Sequence, residues 1–291
     1  MMSKFKLRDL DIFYLSFDEI NGDVNWARIL SMHPDAKRVH GVLGFSEVHR
    51  VCALASTTQR FVTIDGDNWL NDGALDYELD DTDYPHVCFS FSSKNTLNGL
   101  TYGNGGVKVY NRDTYAIGDT YKRLEDSTDF CFVLQFYAVK FLASTTVINC
   151  TPYQAWRTGY REGIKLSFSG GYPLEDFANN YNTIPAGNLI MLRMWTAVGR
   201  TAENGIWGIL GARQGLYELV SKYYPQSIHN DYIALEQKWN EIKDSDPEIL
   251  ASKYSTLLRT EFNFDIPELN AQTEEWVKTI YHSSRMSGLI K

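Results

Sequence analysis

Apolar and polar positions over the first 65 residues fall into alternating strand-like and helix-like runs. Leu10 to Ser16 reads as a strand, punctuated by the polar stretch Phe17-Asp-Glu-Ile-Asn-Gly22. Asn25 to Met32 has helical character, and Arg38 to Leu43 reads as a second short strand broken by Gly44. Phe45 to Ser56 places Phe45, Val48, Cys52 and Ala55 at 3,4,3 spacing, which is one face of a helix. Phe61 to Ile64 has high strand propensity and runs straight into Asp65-Gly66-Asp67. Strand, helix, strand, helix, strand in this order predicts a parallel, doubly wound sheet.

Further along, His86 to Phe91 predicts another strand, followed by a glycine- and asparagine-rich loop from Asn95 to Gly106 and an extended Val107 to Tyr110. Phe130 to Leu142 is apolar and is compatible with helix or strand, because periodicity does not separate the two. Thr145 to Cys150 is strand-like, and Pro152 opens a helix running to Leu166. Gly170-Gly-Tyr-Pro173 is the best linker candidate. Beyond it the pattern is mainly helical, over Gly211 to Tyr223, Asp231 to Lys243, Pro247 to Thr260 and Leu269 to Ser284. The expected division is an α/β body over residues 1–168 and a helical region over 169–291.

Composition narrows the class. At 44% hydrophobic and 22% charged, the 291 residues suit an ordinary globular chain with material for a sizeable core. The start, Met1 to Asp9, is too polar for a signal peptide, and no apolar run approaches the roughly 18 to 20 residues needed to span a bilayer. Cys52, Cys88, Cys131 and Cys150 form no CxxC pair and read as buried thiols, so a cytoplasmic chain is expected, with no membrane partner. The net charge of −8 argues against non-specific coating of nucleic acid. It is uneven, however: Lys94 to Lys165 carries nine Lys/Arg against six acids, so a local basic face remains open.

The chemistry concentrates at strand ends. In an open α/β sheet, ligands collect where strands reach their carboxyl ends. Asp65 and Asp67, separated by one glycine, offer hard oxygen ligands for Mg2+ or Mn2+, although Asp-Gly-Asp also occurs in plain turns. Ser16 and Asp18 follow the first strand and suit hydrogen bonding to a base or ribose, or simply capping. Arg50 is a candidate partner for a diphosphate or a solvated arginine, and His40 is a candidate nucleotide contact. In the glycine-rich loop, Gly99, Gly103, Gly105 and Gly106 permit close backbone approach, and Asn95, Asn98 and Lys108 bring donors. Trp156-Arg-Thr-Gly-Tyr-Arg-Glu-Gly-Ile-Lys165 puts Arg157 and Arg161 on one helix face with Lys165 continuing it, which suits phosphates or a solvated face.

Ile12 to Glu19 resembles the first strand and nucleotide-binding turn of GT-A glycosyltransferases, and Phe61 to Asp67 resembles their DxD strand. Four segments are similar to glycosyltransferase-like proteins of tailed phages: Phe17-Asp-Glu with Asn25-Trp26, Lys37 to Val42, Asn98 to Lys108, and Thr151 to Glu162. The resemblance covers residues 10 to 168, with an echo at Met194 to Gly199 and Gly208 to Arg213. It implies a Rossmann-like, doubly wound, mostly parallel sheet with a C-terminal helical appendage, and a metal-dependent transferase. Its donor would be a nucleoside-diphosphate sugar, UDP-linked by preference, bound by Ser16, Phe17, Asp18, His40, Arg50 and Asp65, with metal on Asp65 and Asp67. Substrate would meet Asn98, Gly105, Gly106, Lys108, Trp156, Arg157 and Arg161. Some phage enzymes of this kind attach sugars, including arabinose, to hydroxylated cytosines in DNA, so that acceptor is implied. Arabinose and glucose are the sugars to consider. An inverting enzyme needs a carboxylate base, for which Glu162 and Asp129 are candidates, with Glu162 preferred because it lies among the potential substrate-facing groups. Glu125-Asp126 has the composition of a base motif in a loop-like context. His229 and His282 are candidate third metal ligands. A protein, lipid or polysaccharide acceptor, or a non-catalytic sugar-nucleotide-binding protein, are the competing readings.

Overall fold

The computed structural model describes residues 4–84, 86–102, 106–116, 135–169, 172–221 and 226–287. Two compact units make up the chain: Met1–Lys94 with Thr101–Val147, and Asn95–Leu100 with Ile148–Lys291.

The first unit is built on a sheet with these strands among the described residues: β1 (Asp11–Ser16), β2 (Lys37–His40), β3 (Arg60–Asp65), β4 (Asn68–Leu70), β5 (Cys88–Asn95), β6 (Thr101–Tyr102), β7 (Val107–Asn111) and β8 (Phe136–Thr146). Their order is β2-β1-β3-β7-β5-β8-β4, with β6 on β5. β1 pairs in parallel with β2 and β3, as the order of elements predicts. Helices α1 (Gly22–Met32) and α2 (Phe45–Ala55) supply the crossovers. Alternate β1 residues face opposite ways, which sends the helices to opposite faces. Ile29 of α1 packs with Ile12, Tyr14, Val62 and Ile64. Cys52 and Ala53 of α2 pack with Phe13, Leu15 and Phe61. The sheet is therefore doubly wound from β2 to β3. Parallel pairing stops there, and the β3–β7, β7–β5 and β8–β4 ladders are antiparallel.

The sheet also curls. From Asp65 to Asn68 the chain takes three steps and reaches at most roughly 11 Å. Four strand spacings separate β3 from β4 in the hydrogen-bond order, which in a flat sheet needs roughly 19 Å. Only a curved sheet satisfies both. The Asp65 N–H donates to Gly106 O (3.2 Å) and the Val147 N–H to Asp67 O (2.8 Å), so strands from across the curl meet at the Asp-Gly-Asp turn.

Several expectations shift. The second strand ends at His40 because Gly41 turns the chain at φ 72°. The ambiguous apolar run is strand from Phe136, and it continues to Thr146 where a separate strand to Cys150 was expected. β4 is three residues long and leaves no periodic signal.

In the second unit the longer helices among the described residues are α3 (Pro152–Lys165), α4 (Ala186–Ala197), α5 (Gly205–Val220), α6 (Tyr232–Ile242), α7 (Pro247–Phe262) and α8 (Ala271–Ser287). The Thr151 hydroxyl caps α3 by accepting from Gln154 N at 3.1 Å, with Pro152 in the first turn. α3 lies against α5 backbone to backbone. A Cβ on Gly159 would strike the Gly208 carbonyl, and one on Gly163 the Ala212 carbonyl. From the other side, Gly211 meets Trp156 O and Gly215 meets Tyr160 O. This packing places α3 in the helical unit of Asn95–Leu100 and Ile148–Lys291; the boundary expected at residue 168 follows α3 in sequence.

Candidate functional site

β1 and β3 flank the point where the crossovers change direction, the position at which doubly wound sheets bind ligands. Tyr14 reaches up from β1. Its hydroxyl lies 2.6 Å from Gly66 O and 2.8 Å from Gly22 O. Asn25 Nδ2 also donates to Gly66 O at 2.9 Å. The turn between the two aspartates is thereby held from α1 and β1 at once. Burial pushes the Tyr14 hydroxyl well above its usual range, and the Glu19 carboxylate adds to this; Arg38 opposes it and Asp67 adds again. A Cβ on Gly66 would lie 2.6 Å from the Glu19 carboxyl and 2.9 Å from Leu15 O. Glycine is needed here by this close approach. Glu19 in turn accepts from Phe17 N at 2.7 Å, which ties the loop after β1 to the Asp-Gly-Asp turn.

Asn68, directly after the aspartates, is fully buried. Its Oδ1 lies 3.0 to 3.1 Å from the Ser93, Ser144 and Thr146 hydroxyls, and its Nδ2 donates to Asp67 Oδ1 at 2.7 Å. The Asp67 carboxylate, an acceptor only, fixes which end of the amide is nitrogen, and that end orients Asp67. The sequence reading missed Asn68; its only signal is its position after the pair. Gly106 belongs to the same knot. A Cβ there would lie 2.5 Å from Ser144 Oγ and 3.1 Å from Asn68 Oδ1, a close approach to the chain itself. Lys108 is buried, in register with Thr63 and Ser90. Burial pushes His49 down to about 3, with its bond to Phe45 O opposing and the Lys108 charge assisting. Burial likewise pushes the Cys52 thiol up to about 12, with the Asp65 carboxylate adding.

Beside the turn opens a pocket of about 460 Å³ lined by Phe17, Asp18, Glu19, Ile20, Asp23, Arg38 and His40. Phe17, Asp18 and His40, expected to bind the donor, thus share one recess, and Ser16 lies beneath it in contact with His40. Arg50 is placed differently: Glu47 of its own helix takes it with two bonds at 2.6 and 2.8 Å.

Other expected residues lie in the helical unit. Trp156 is fully buried and donates to Gln214 Oε1 at 3.0 Å. Asn98 is also buried, and its Oδ1 accepts from Leu100 N, building the turn. Arg157 and Arg161 both stack on Tyr232, at 5.2 and 5.4 Å, and Arg161 donates to His229 O. Glu162 is buried in a 2.6 Å ion pair with Lys165, which occupies the carboxylate expected to act as base. His229 is buried and His282 half-buried, both in this unit. Gly103, Gly105, Glu125, Asp126, Asp129 and Cys131 lie outside the described residues.

Among the described residues, no group of three or more His, Cys, Asp or Glu side chains is arranged to hold a metal ion. Asp65 and Asp67 provide two carboxylates at one strand end. That donor set fits Mg2+ or Mn2+ when waters and substrate phosphates fill the other positions. No described helix is long and apolar enough to cross a membrane.

No protein-family model matches the chain, and no curated protein matches its sequence. Among solved structures, it has a partial likeness to a glycosyltransferase involved in the glycosylation of the major capsid of PBCV-1. The TM-score is 0.31 at 12% identity, over 48% of this chain and 94% of that one. A likeness of this size carries no functional argument.

Proposed function

We propose that the chain is a nucleotide-sugar-dependent glycosyltransferase whose donor site is the carboxyl edge of β1, β2 and β3. One observation carries the reading. Glu19, which lines the pocket, packs against the glycine between Asp65 and Asp67, so a recess of nucleotide size and a pair of hard anionic ligands share one strand edge. A base would lie in the recess against the half-exposed Phe17 ring. Asp65 and Asp67 would hold a divalent cation, which when bound supplies positive charge to the departing diphosphate. Asn68 keeps Asp67 oriented for that role, and Tyr14 and Asn25 keep the turn from moving.

The test is a melting-temperature panel with UDP-, GDP-, CMP- and dTDP-sugars, each with and without Mn2+. A ligand bound only by the native state raises the melting temperature by mass action. The expected outcome is a metal-dependent rise with one nucleotide class, absent in Asp67→Ala. No rise with any of them, in a folded sample, defeats the reading. The donor so identified is then offered to DNA containing hydroxylated cytosine, the acceptor proposed from the phage resemblance, with arabinose and glucose as first sugars.

A further inference from the structure

Ser16 closes β1 and His40 closes β2, directly across the parallel ladder. Ser16 Oγ lies 2.8 Å from Arg38 Nε and 3.0 Å from His40 Nδ1. A guanidinium has donors only, so Arg38 Nε–H donates and the serine oxygen accepts. Arg38 is itself anchored, donating to Asp23 Oδ1 at 2.7 Å and lying over the Tyr14 ring. The serine oxygen keeps a second lone pair as well as its one hydrogen, so it either accepts from His40 Nδ1–H or donates to Nδ1, and in the second arrangement the ring carries its proton on Nε2. His40 is exposed and lines the same pocket as the half-exposed Phe17.

We infer that the Ser16 hydrogen turns to His40 Nδ1, which makes His40 Nε2–H a hydrogen-bond donor that reads the base of a nucleoside diphosphate, selecting bases with a carbonyl oxygen at the contacted edge. Ser16 and Arg38 are its positioning residues. This deepens the proposed donor site and rests on it. Phe17 offers a face on which a planar ring stacks. An edge oxygen of uracil, thymine or guanine accepts from the imidazole. The amino group of cytosine or adenine at that position sets donor against donor and leaves both without a partner, which is how polar sites discriminate. Asp18 and Asp23, also on the pocket wall, are acceptors and cannot replace the imidazole donor, and Arg38, the other donor on that wall, is held by Ser16 and Asp23.

Two measurements on the full chain test this. Nitrogen-15 spectra of the histidine rings, with the His40 signal identified by its loss in His40→Gln, should show protonation on Nε2, and Ser16→Ala should turn it into a tautomer mixture. Calorimetry with UDP, dTDP, GDP, CDP and ADP in Mg2+ should show carbonyl bases binding about tenfold more tightly than amino bases, with the preference lost in His40→Ala. Protonation on Nδ1 in the wild type overturns the inference. So does a base preference that survives His40→Ala, or the absence of any preference in a wild type that does bind nucleotides. A wild type that binds none of the five overturns the donor-site reading itself and this inference with it.

Discussion

Asn68 and Asp11 show how single polar residues hold this fold. Asn68→Ala removes the acceptor shared by three hydroxyls and frees Asp67 to rotate. The expected loss is about 2 to 3 kcal/mol of stability, measured by denaturant melts, together with weaker nucleotide-sugar binding. Asp67→Asn keeps the shape and should leave the melting temperature of the free protein nearly unchanged, while abolishing the metal-dependent shift. Asp11 works at the opposite end of β1. Burial raises its carboxyl, but Lys37 at 2.6 Å and the N–H and hydroxyl groups of Thr57 and Thr58 outweigh that and hold it well below the usual range. A group with a depressed folded pKa stabilises above its unfolded pKa, and that stability is lost as pH falls through the folded value. Asp11→Asn should therefore cost about 2 kcal/mol at pH 7, shrinking progressively below about pH 4, as read from melts at both pH values. Of these residues only Asp67 was legible in sequence. An aspartate pair ending a strand carries its own signal, whereas a lone Asn or Asp owes its role to residues 25 to 78 positions away.

Glycine reverses its ordinary meaning on α3 and α5. In an exposed helix, Gly→Ala stabilises by about 1 kcal/mol. Here Gly211→Ala drives a methyl into the Trp156 carbonyl, and the expected result is a loss of about 3 kcal/mol, checked by thermal melts beside an exposed Ala→Gly control. The same glycines explain what pattern reading missed. The start of α5 at Gly205 contains Gly208 and Gly211, low-propensity residues that suggest a loop until a partner backbone requires them. Helix α3 was legible almost to the residue, since Thr151 and Pro152 form a strong start signal. The β1, β3 and α2 elements were legible for the same reason, each having an apolar period and a clear stop. β4 was not, because three residues are too few for a period and its pairing depends on the curl of the sheet.

At the scale of the whole chain, the units are not consecutive halves. Asn95–Leu100 lies within the sequence of the α/β unit but is grouped with the helices. Leu97 is fully buried there, against Gly199 and Gly208, and Lys278 lines Gly99. A fragment of residues 148–291 lacks that plug and is expected to melt less cooperatively than the full chain, as followed by circular dichroism. A fragment of residues 1–168 keeps α3 without α5 and exposes Trp156, Tyr160 and Ile164, so it is expected to aggregate where 1–147 does not. The interleaving also bears on synthesis. Leu97 leaves the ribosome about 110 residues before Gly208, roughly 5 to 20 seconds at ordinary elongation rates. Throughout that interval the nascent chain carries an apolar residue whose berth has not been made. A chaperone that holds Leu97 in that interval would be released by the arrival of α5.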